Sequence, residues 1–177
     1  MQPTKIEMNA RTPREKRAKT PEQALAALMR LCARAEKSEG DARRLMRGWG
    51  VAEQDAEEVL ARLVRERFID DARYAGAFVR EKLRLSGWGK YKIRTALQRK
   101  GIRRETIDAA LAQADRSDMG ERLAQQLARK QRTVKYTTPY ELKTKLVRYG
   151  LSLGYDYETV LETVSGLVKD TDSCDEF

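Results

Sequence analysis

Histidine is absent from the 177 residues, which removes imidazole-based zinc sites, Ser-His triads and histidine general bases. Cys32 and Cys174 are the only cysteines, one in an apolar helical stripe and one in an acidic tail, and they form no disulfide framework. Apolar runs are short, as in Ala24 to Met29, and none approaches the roughly 20 residues needed to cross a bilayer. The opening segment, with Lys5, Arg11, Arg14, Lys16, Arg17 and Lys19, lacks the apolar centre of a secretory signal. Sustained alternation of β-branched residues is missing too, so a sheet has no candidate strands. No phosphate-binding loop of the G-x-x-x-x-G-K-[ST] type occurs, and neither cysteine sits in an activated setting. These absences predict a soluble, cytoplasmic protein that is not an enzyme, with no cofactor and no metal.

What the chain does have is positive charge, unevenly placed. The formal net charge is +9. Between Ala72 and Arg104 there are 11 Lys or Arg residues, against Glu81 as the only acid. From Tyr155 to Phe177 the balance reverses, with seven acids against Lys169. The middle of the chain therefore suits a polyanion or an acidic groove.

An internal repeat organises the sequence. Gly50, Gly101 and Gly150 lie 51 and 49 residues apart. Four positions before each stands Met46, Leu97 or Leu146; eight before, Ala42, Ile93 or Leu142; directly after, Val51, Ile102 or Leu151. About ten positions after, the apolar pairs Val59-Leu60, Ala110-Leu111 and Val160-Leu161 recur, with one extra residue in the third turn. A helix, a glycine closing it in the left-handed conformation, and a second helix account for this pattern.

Helix signals fill in the rest. Thr20-Pro21-Glu22-Gln23 and Thr138-Pro139-Tyr140-Glu141 each offer a cap, a first-turn proline and an acid or amide partner. Ser38 with Asp41 opens another helix, and Asp70 or Asp71 opens one with Tyr74, Ala77 and Phe78 inward. Further stripes run through Ala56 to Leu63, Ile93 to Leu97, Ile107 to Ala114, Leu123 to Leu127, and Tyr157 to Val164. The expected fold is all-α: three tandem three-helix repeats over residues 20–69, 70–115 and 116–168, stacked in an elongated, curved arrangement. Residues 1–19 read as a flexible basic arm and 169–177 as an acidic tail.

The segment Phe68-Ile69-Asp70-Asp71-Ala72-Arg73-Tyr74-Ala75-Gly76-Ala77-Phe78-Val79-Arg80 resembles the most recognisable stretch of the RecX family. Gly89-Lys90-Tyr91-Lys92-Ile93-Arg94-Thr95-Ala96-Leu97-Gln98-Arg99-Lys100-Gly101-Ile102 follows at the expected distance and resembles that family's second signature. The likeness covers residues 21 to 165 and is strongest in the middle. Ala42 is smaller than the residue often found there, and the last repeat departs through the turn at Gly154 and through Tyr149, Tyr155 and Tyr157. The resemblance implies tandem three-helix repeats and a regulatory role: binding along RecA recombinase filaments and lowering their ATP hydrolysis, strand exchange and co-protease activity. It implies that the partner is the RecA filament; a monomer is expected.

The candidate contact surface is the basic middle repeat: Arg80, Lys82, Arg84, Lys90, Lys92, Arg94, Arg99, Lys100, Arg103 and Arg104, with Trp88 and Tyr91 among them. Such a surface serves single- or double-stranded DNA phosphates or an acidic protein groove, and a solvated helix face is the plain alternative. Trp88, between Gly87 and Gly89, either stacks on a partner or folds over its own core. Asp70 and Asp71 read as caps rather than metal ligands. Tyr136, Tyr140, Tyr149, Tyr155 and Tyr157 exceed what a small core needs, so some face a partner or all build a tyrosine-rich core. A helix-turn-helix DNA reader fits poorly, because the helices after the glycines begin with acids such as Glu53, Asp55, Glu105, Asp156 and Glu158, which repel phosphate. A nonspecific nucleic-acid binder acting without RecA is the remaining alternative.

Overall fold

A computed structural model describes residues 18–113 and 116–172, with side chains placed for all of these except 116–118 and 169–172. Most of the expected basic arm and the end of the acidic tail lie outside the described residues. Those described form helices and no strand: α1 (Pro21–Arg34), α2 (Glu39–Gly48), α3 (Glu53–Arg65), α4 (Asp71–Ser86), α5 (Lys90–Arg99), α6 (Arg104–Ala112), α7 (Arg116–Thr133), α8 (Pro139–Ser152) and α9 (Tyr157–Asp172). In chain order they make three triplets. No helix among them is long and apolar enough to cross a membrane.

Local chemistry places the starts. Thr20 and Gln23 form a reciprocal capping box at α1. Ser38 Oγ accepts from Asp41 N at 3.0 Å, and Thr138 Oγ1 from Glu141 N at 3.2 Å. Asp70 is the residue that caps α4, accepting from Arg73 N at 2.9 Å, whereas the Asp71 carboxylate accepts from Glu39 N at 2.9 Å in the first triplet.

The glycine turns repeat down to single hydrogen bonds. Val51 N donates to Met46 O, Ile102 N to Leu97 O and Tyr155 N to Gly150 O, while Gly50, Gly101 and Gly154 N reach Arg47, Gln98 and Leu151 O. These bonds define a Schellman closure, and its three glycines have φ of 73°, 80° and 88°. The third turn glycine is thus Gly154, not Gly150. The repeat holds in register at the start of α8, where Leu142 and Leu146 are buried like Ile93 and Leu97, but α8 runs 14 residues where α5 runs 10. The difference is one helical turn, not one residue in the loop. Gly150 lies inside α8, where a Cβ would come within 2.7 Å of Val160 Cγ1, so α9 packs directly on its backbone. Buried Tyr155 takes the place of Val51 and Ile102, and Leu151, expected there, is exposed.

Two apolar cores result. One joins α1, α2 and α3 through Ala24, Leu28, Met46, Val59, Leu60 and Leu63, closed by Ile69. The other is continuous from α4 to α9, with Val79, Ile93, Leu97, Ile107, Leu123, Leu127, Leu142, Leu146 and Val160 among its members, so the second and third triplets share it. In α4 the inward stripe is Ala75, Val79 and Leu83; Tyr74 and Phe78, expected inward, flank the core, and Ala77 is only half-buried. Each buried leucine contributes roughly 1.5–3 kcal/mol.

Triplets join end to end by one rule. The first turn of a second helix seats on the glycine turn of the next triplet. Ser38 Oγ donates to Lys100 O at 3.0 Å, and a Cβ on Gly40 would overlap that carbonyl. Gly89 N donates to Leu153 O at 2.8 Å and Tyr91 N to Gly154 O at 3.0 Å, and a Cβ on Gly89 would overlap Gly154 O. The positive end of α2 thereby meets the negative end of α5, and that of α5 the end of α8. On the first turn, Lys19 N takes the corresponding place, donating to Trp49 O at 3.0 Å, with its ammonium 3.9 Å from the Trp49 ring centre.

Replacing Gly89 with Ala is therefore expected to destabilise the protein by about 1–3 kcal/mol, read as a lower melting temperature. Gly48→Ala, where nothing lies within 4 Å of the added carbon, is expected to be neutral or to stabilise by up to about 1 kcal/mol. At the first junction burial raises the Asp41 carboxyl pKa, but hydrogen bonds and charge from Lys100 and Arg44 more than offset this, and the net shift is downward. The ionised form thus stabilises the fold above the unfolded aspartate pKa of about 4, and this contribution is lost as pH falls through the lower folded value. Urea midpoints of the wild type and Asp41→Asn should differ most at neutral pH and converge under acid.

Candidate functional site

The middle triplet gathers its cations on two helices and a turn, and the structure sorts them by what each one touches. Lys82 and Lys92 flank Trp88, with ammonium groups 5.5 Å and 4.7 Å from its ring centre. Trp88 is half-buried, packed on the shared core and edge-on to Phe78 at 6.5 Å, so the ring folds over its own triplet. Lys82 also pairs with Glu81 at 2.7 Å. Lys92 donates to Ser152 O at 3.1 Å, placing a cation at the carbonyl end of α8.

Arg94 pairs with Asp108 at 2.8 Å, and Arg104 approaches the same carboxylate at 3.7 Å. Arg43 and Glu57, at the same repeat positions in the first triplet, pair at 2.8 Å. The Arg94 bridge is thus a recurring brace between the second and third helices of a triplet. Lys100 reaches Asp41 at 3.1 Å across the first junction. Its turn carbonyl receives Ser38, so Lys100 ties two triplets together.

Five of the candidate cations form no ion pair among the described residues: Arg80, Arg84, Lys90, Arg99 and Arg103, although the charge of Arg103 is felt at the Asp71 carboxylate. All but the half-exposed Lys90 are well exposed. Arg80 and Arg84 stand one turn apart on α4, while Arg99 and Arg103 bracket the α5–α6 turn. Tyr91, 63% exposed, lines a groove of about 660 Å³ together with Lys90, Arg94, Met119, Tyr155 and Glu158. The twelve candidate residues accordingly divide into a tryptophan-centred packing cluster, a set of internal ion pairs, and five cations outside any ion pair together with the exposed Tyr91, which neighbours Lys90.

Sequence reasoning did not find the partners. Asp108 and Asp41 gave no signal as counter-ions, since one lies in the next helix and the other 59 residues away. The one cue was the repeat itself: Arg43 and Glu57 recur as Arg94 and Asp108 in register.

Comparison with known proteins places this arrangement. A family model described as RecX, second three-helix domain, matches residues 70–111. The regulatory protein RecX of Clostridium beijerinckii is 30% identical over 139 residues, covering 77% of this chain and 64% of that protein. The regulatory protein RecX of Escherichia coli K12 is 33% identical over 113 residues, 62% of this chain and 64% of that one. That of Clostridium botulinum Alaska E43 is 35% identical over 100 residues, 46% of its length. The matches thus span about half to two thirds of these relatives. A crystal structure of a regulatory protein RecX superposes with a TM-score of 0.76 at 22% identity, covering 85% of this chain and 73% of the other. The crystal structure of RecX from Lactobacillus salivarius gives 0.70 at 20%, covering 84% and 96%. The helical fold, the middle-triplet match and the partial-length relatives converge, and the chain belongs to the RecX family of regulatory proteins.

Proposed function

We propose that this protein acts in the cytoplasm as a monomeric, non-enzymatic regulator that binds RecA filaments and lowers their ATPase, strand-exchange and co-protease activities. Likeness to the RecX family supports the choice of partner, and one observation supports the choice of surface: Arg80, Arg84, Lys90, Arg99 and Arg103 form no ion pair among the described residues, while their neighbours are internally paired. Unpaired exposed cations steer association with an acidic groove and are screened by salt. Tyr91, exposed beside Lys90, adds a rigid aromatic anchor of the type that interfaces favour. Chains of helical triplets also suit a partner that is itself a helical polymer, because successive triplets can meet successive protomers.

A sequence-specific DNA reader is disfavoured on physical grounds. The third helix of each triplet would have to enter the groove, yet α3 and α6 open with acids in the first turn, and α9 does too. Carboxylates there stabilise the helix dipole and oppose phosphate.

The triple variant Arg84→Glu, Lys90→Glu, Arg99→Glu should keep wild-type helicity, because none of the three carries an internal ion pair among the described residues. Its half-inhibitory concentration against RecA-filament ATPase should rise by about tenfold or more. A folded triple variant that inhibits as well as the wild type would remove the basic triplet from the contact surface. Unchanged filament ATPase at wild-type concentrations that saturate naked DNA would favour a nucleic-acid binder acting without RecA.

A further inference from the structure

A second basic surface lies outside the middle triplet, where α7 meets α8. From Arg129 to Arg148 the sequence holds seven Lys or Arg residues and one acid, Glu141. That acid is engaged: Lys145 Nζ donates to it at 2.6 Å, and Thr137 N and Oγ1 donate to its other oxygen at 2.9 Å and 2.8 Å. The Lys145 bond, then those from Thr137, hold its carboxyl pKa at about 2, so it stays an internal counter-ion at any working pH. Arg132, Lys135 and Lys143 have no carboxylate partner among the described residues.

Two aromatic rings project from this corner. Tyr140 is 81% exposed and Tyr136 46% exposed, neither belongs to a core, and neither hydroxyl has a hydrogen-bond partner among the described residues. They are the only exposed large apolar residues described between Arg129 and Arg148. Tyr136 lies on the connecting loop and Tyr140 in the first turn of α8, and this segment is braced, since Lys145 Nζ also donates to Lys135 O at 2.8 Å and Thr138 caps α8. The rings are thus presented on a braced backbone among cations, and among the described residues from Arg129 to Arg148 no exposed large aliphatic side chain accompanies them.

We infer that the α7–α8 corner is a binding surface for single-stranded nucleic acid, with Tyr136 and Tyr140 stacking on bases and Arg132, Lys135 and Lys143 meeting phosphates. Every base offers a flat face, so such stacking tolerates any sequence, while a duplex keeps its bases paired and hides those faces. The surface is separate from the one assigned to the filament, and its failure leaves that assignment untouched.

The test is fluorescence anisotropy of the full chain with a labelled oligothymidylate about 20 nucleotides long, and with a duplex of equal length, across a salt series. The double variant Tyr136→Ala, Tyr140→Ala is expected to raise Kd for the single strand by about tenfold or more, whereas the double Phe variant stays within about twofold because it keeps both rings. Lys135→Glu with Lys143→Glu should flatten the salt dependence, and Arg84→Glu with Arg99→Glu should change single-strand affinity less than the double alanine variant. Circular dichroism checks folding, and Tyr140→Ser alone replaces the double variant if that one unfolds. An unchanged Kd for the alanine or serine variants overturns the inference. So does a loss in the Phe variant equal to that in the alanine variant, or a duplex bound as tightly as the single strand.

Discussion

The seating of one helix start on the next triplet's glycine turn sets the geometry of everything else. At both junctions a backbone or hydroxyl donor meets a turn carbonyl, Ser38 with Lys100 and Gly89 with Leu153. The approach is so close that a single carbon on Gly40 or Gly89 would collide with main-chain oxygen. Since the turn glycines themselves need positive φ, each joint depends on glycine twice, once to form the turn and once to let a neighbour reach it. The second helices consequently follow one another with the same polarity, each positive end meeting the negative end of the next.

Electrostatics then separate structural cations from available ones. Arg43 with Glu57, and Arg94 with Asp108, fasten second helix to third in two triplets. The third triplet lacks that bridge: Lys143 stands where the arginines do, and Leu161 where the acids do. A cation that braces its own triplet is held close to its partner and gives little field to a visitor, whereas Arg84 or Arg99 keeps its full charge facing solvent. A net charge of +9 says nothing of this division; the ion-pair geometry does.

What could be read from the chain, and what could not, divides along the range of the interaction. Thr20, Ser38 and Thr138 announce helix starts because a cap is made within three residues, and all three helices are where those signals put them. The first two glycine turns were legible for the same reason. The third was misplaced at Gly150 because α8 gains a full turn, which preserves the apolar face and therefore leaves the periodicity unbroken. The hydrogen bonds of Gly154 and Tyr155 to Leu151 and Gly150, with the positive φ of Gly154, fix the true register. In α4 the ring residues Tyr74 and Phe78 looked like the inward face, yet Ala75, Val79 and Leu83 are the buried stripe, since large rings at the margin cover more of the core than they enter. Counter-ions such as Asp108 have no local signal, because nothing nearby distinguishes an acid that meets an arginine from one that faces water, and only the recurrence of Arg43 and Glu57 as Arg94 and Asp108 hints at the pair.

Six helices share one dry interior, but the first three keep theirs to themselves. Across the boundary the described links are polar: Ser38 with Lys100, Glu39 with Asp71, Asp41 with Lys100 and Arg73 with Glu36. Water can substitute for such bonds at small net cost, whereas parting a shared apolar core exposes its whole area. The first triplet could therefore lose its polar contacts with the second without opening either interior, whereas the second and third triplets cannot part without exposing the core they share.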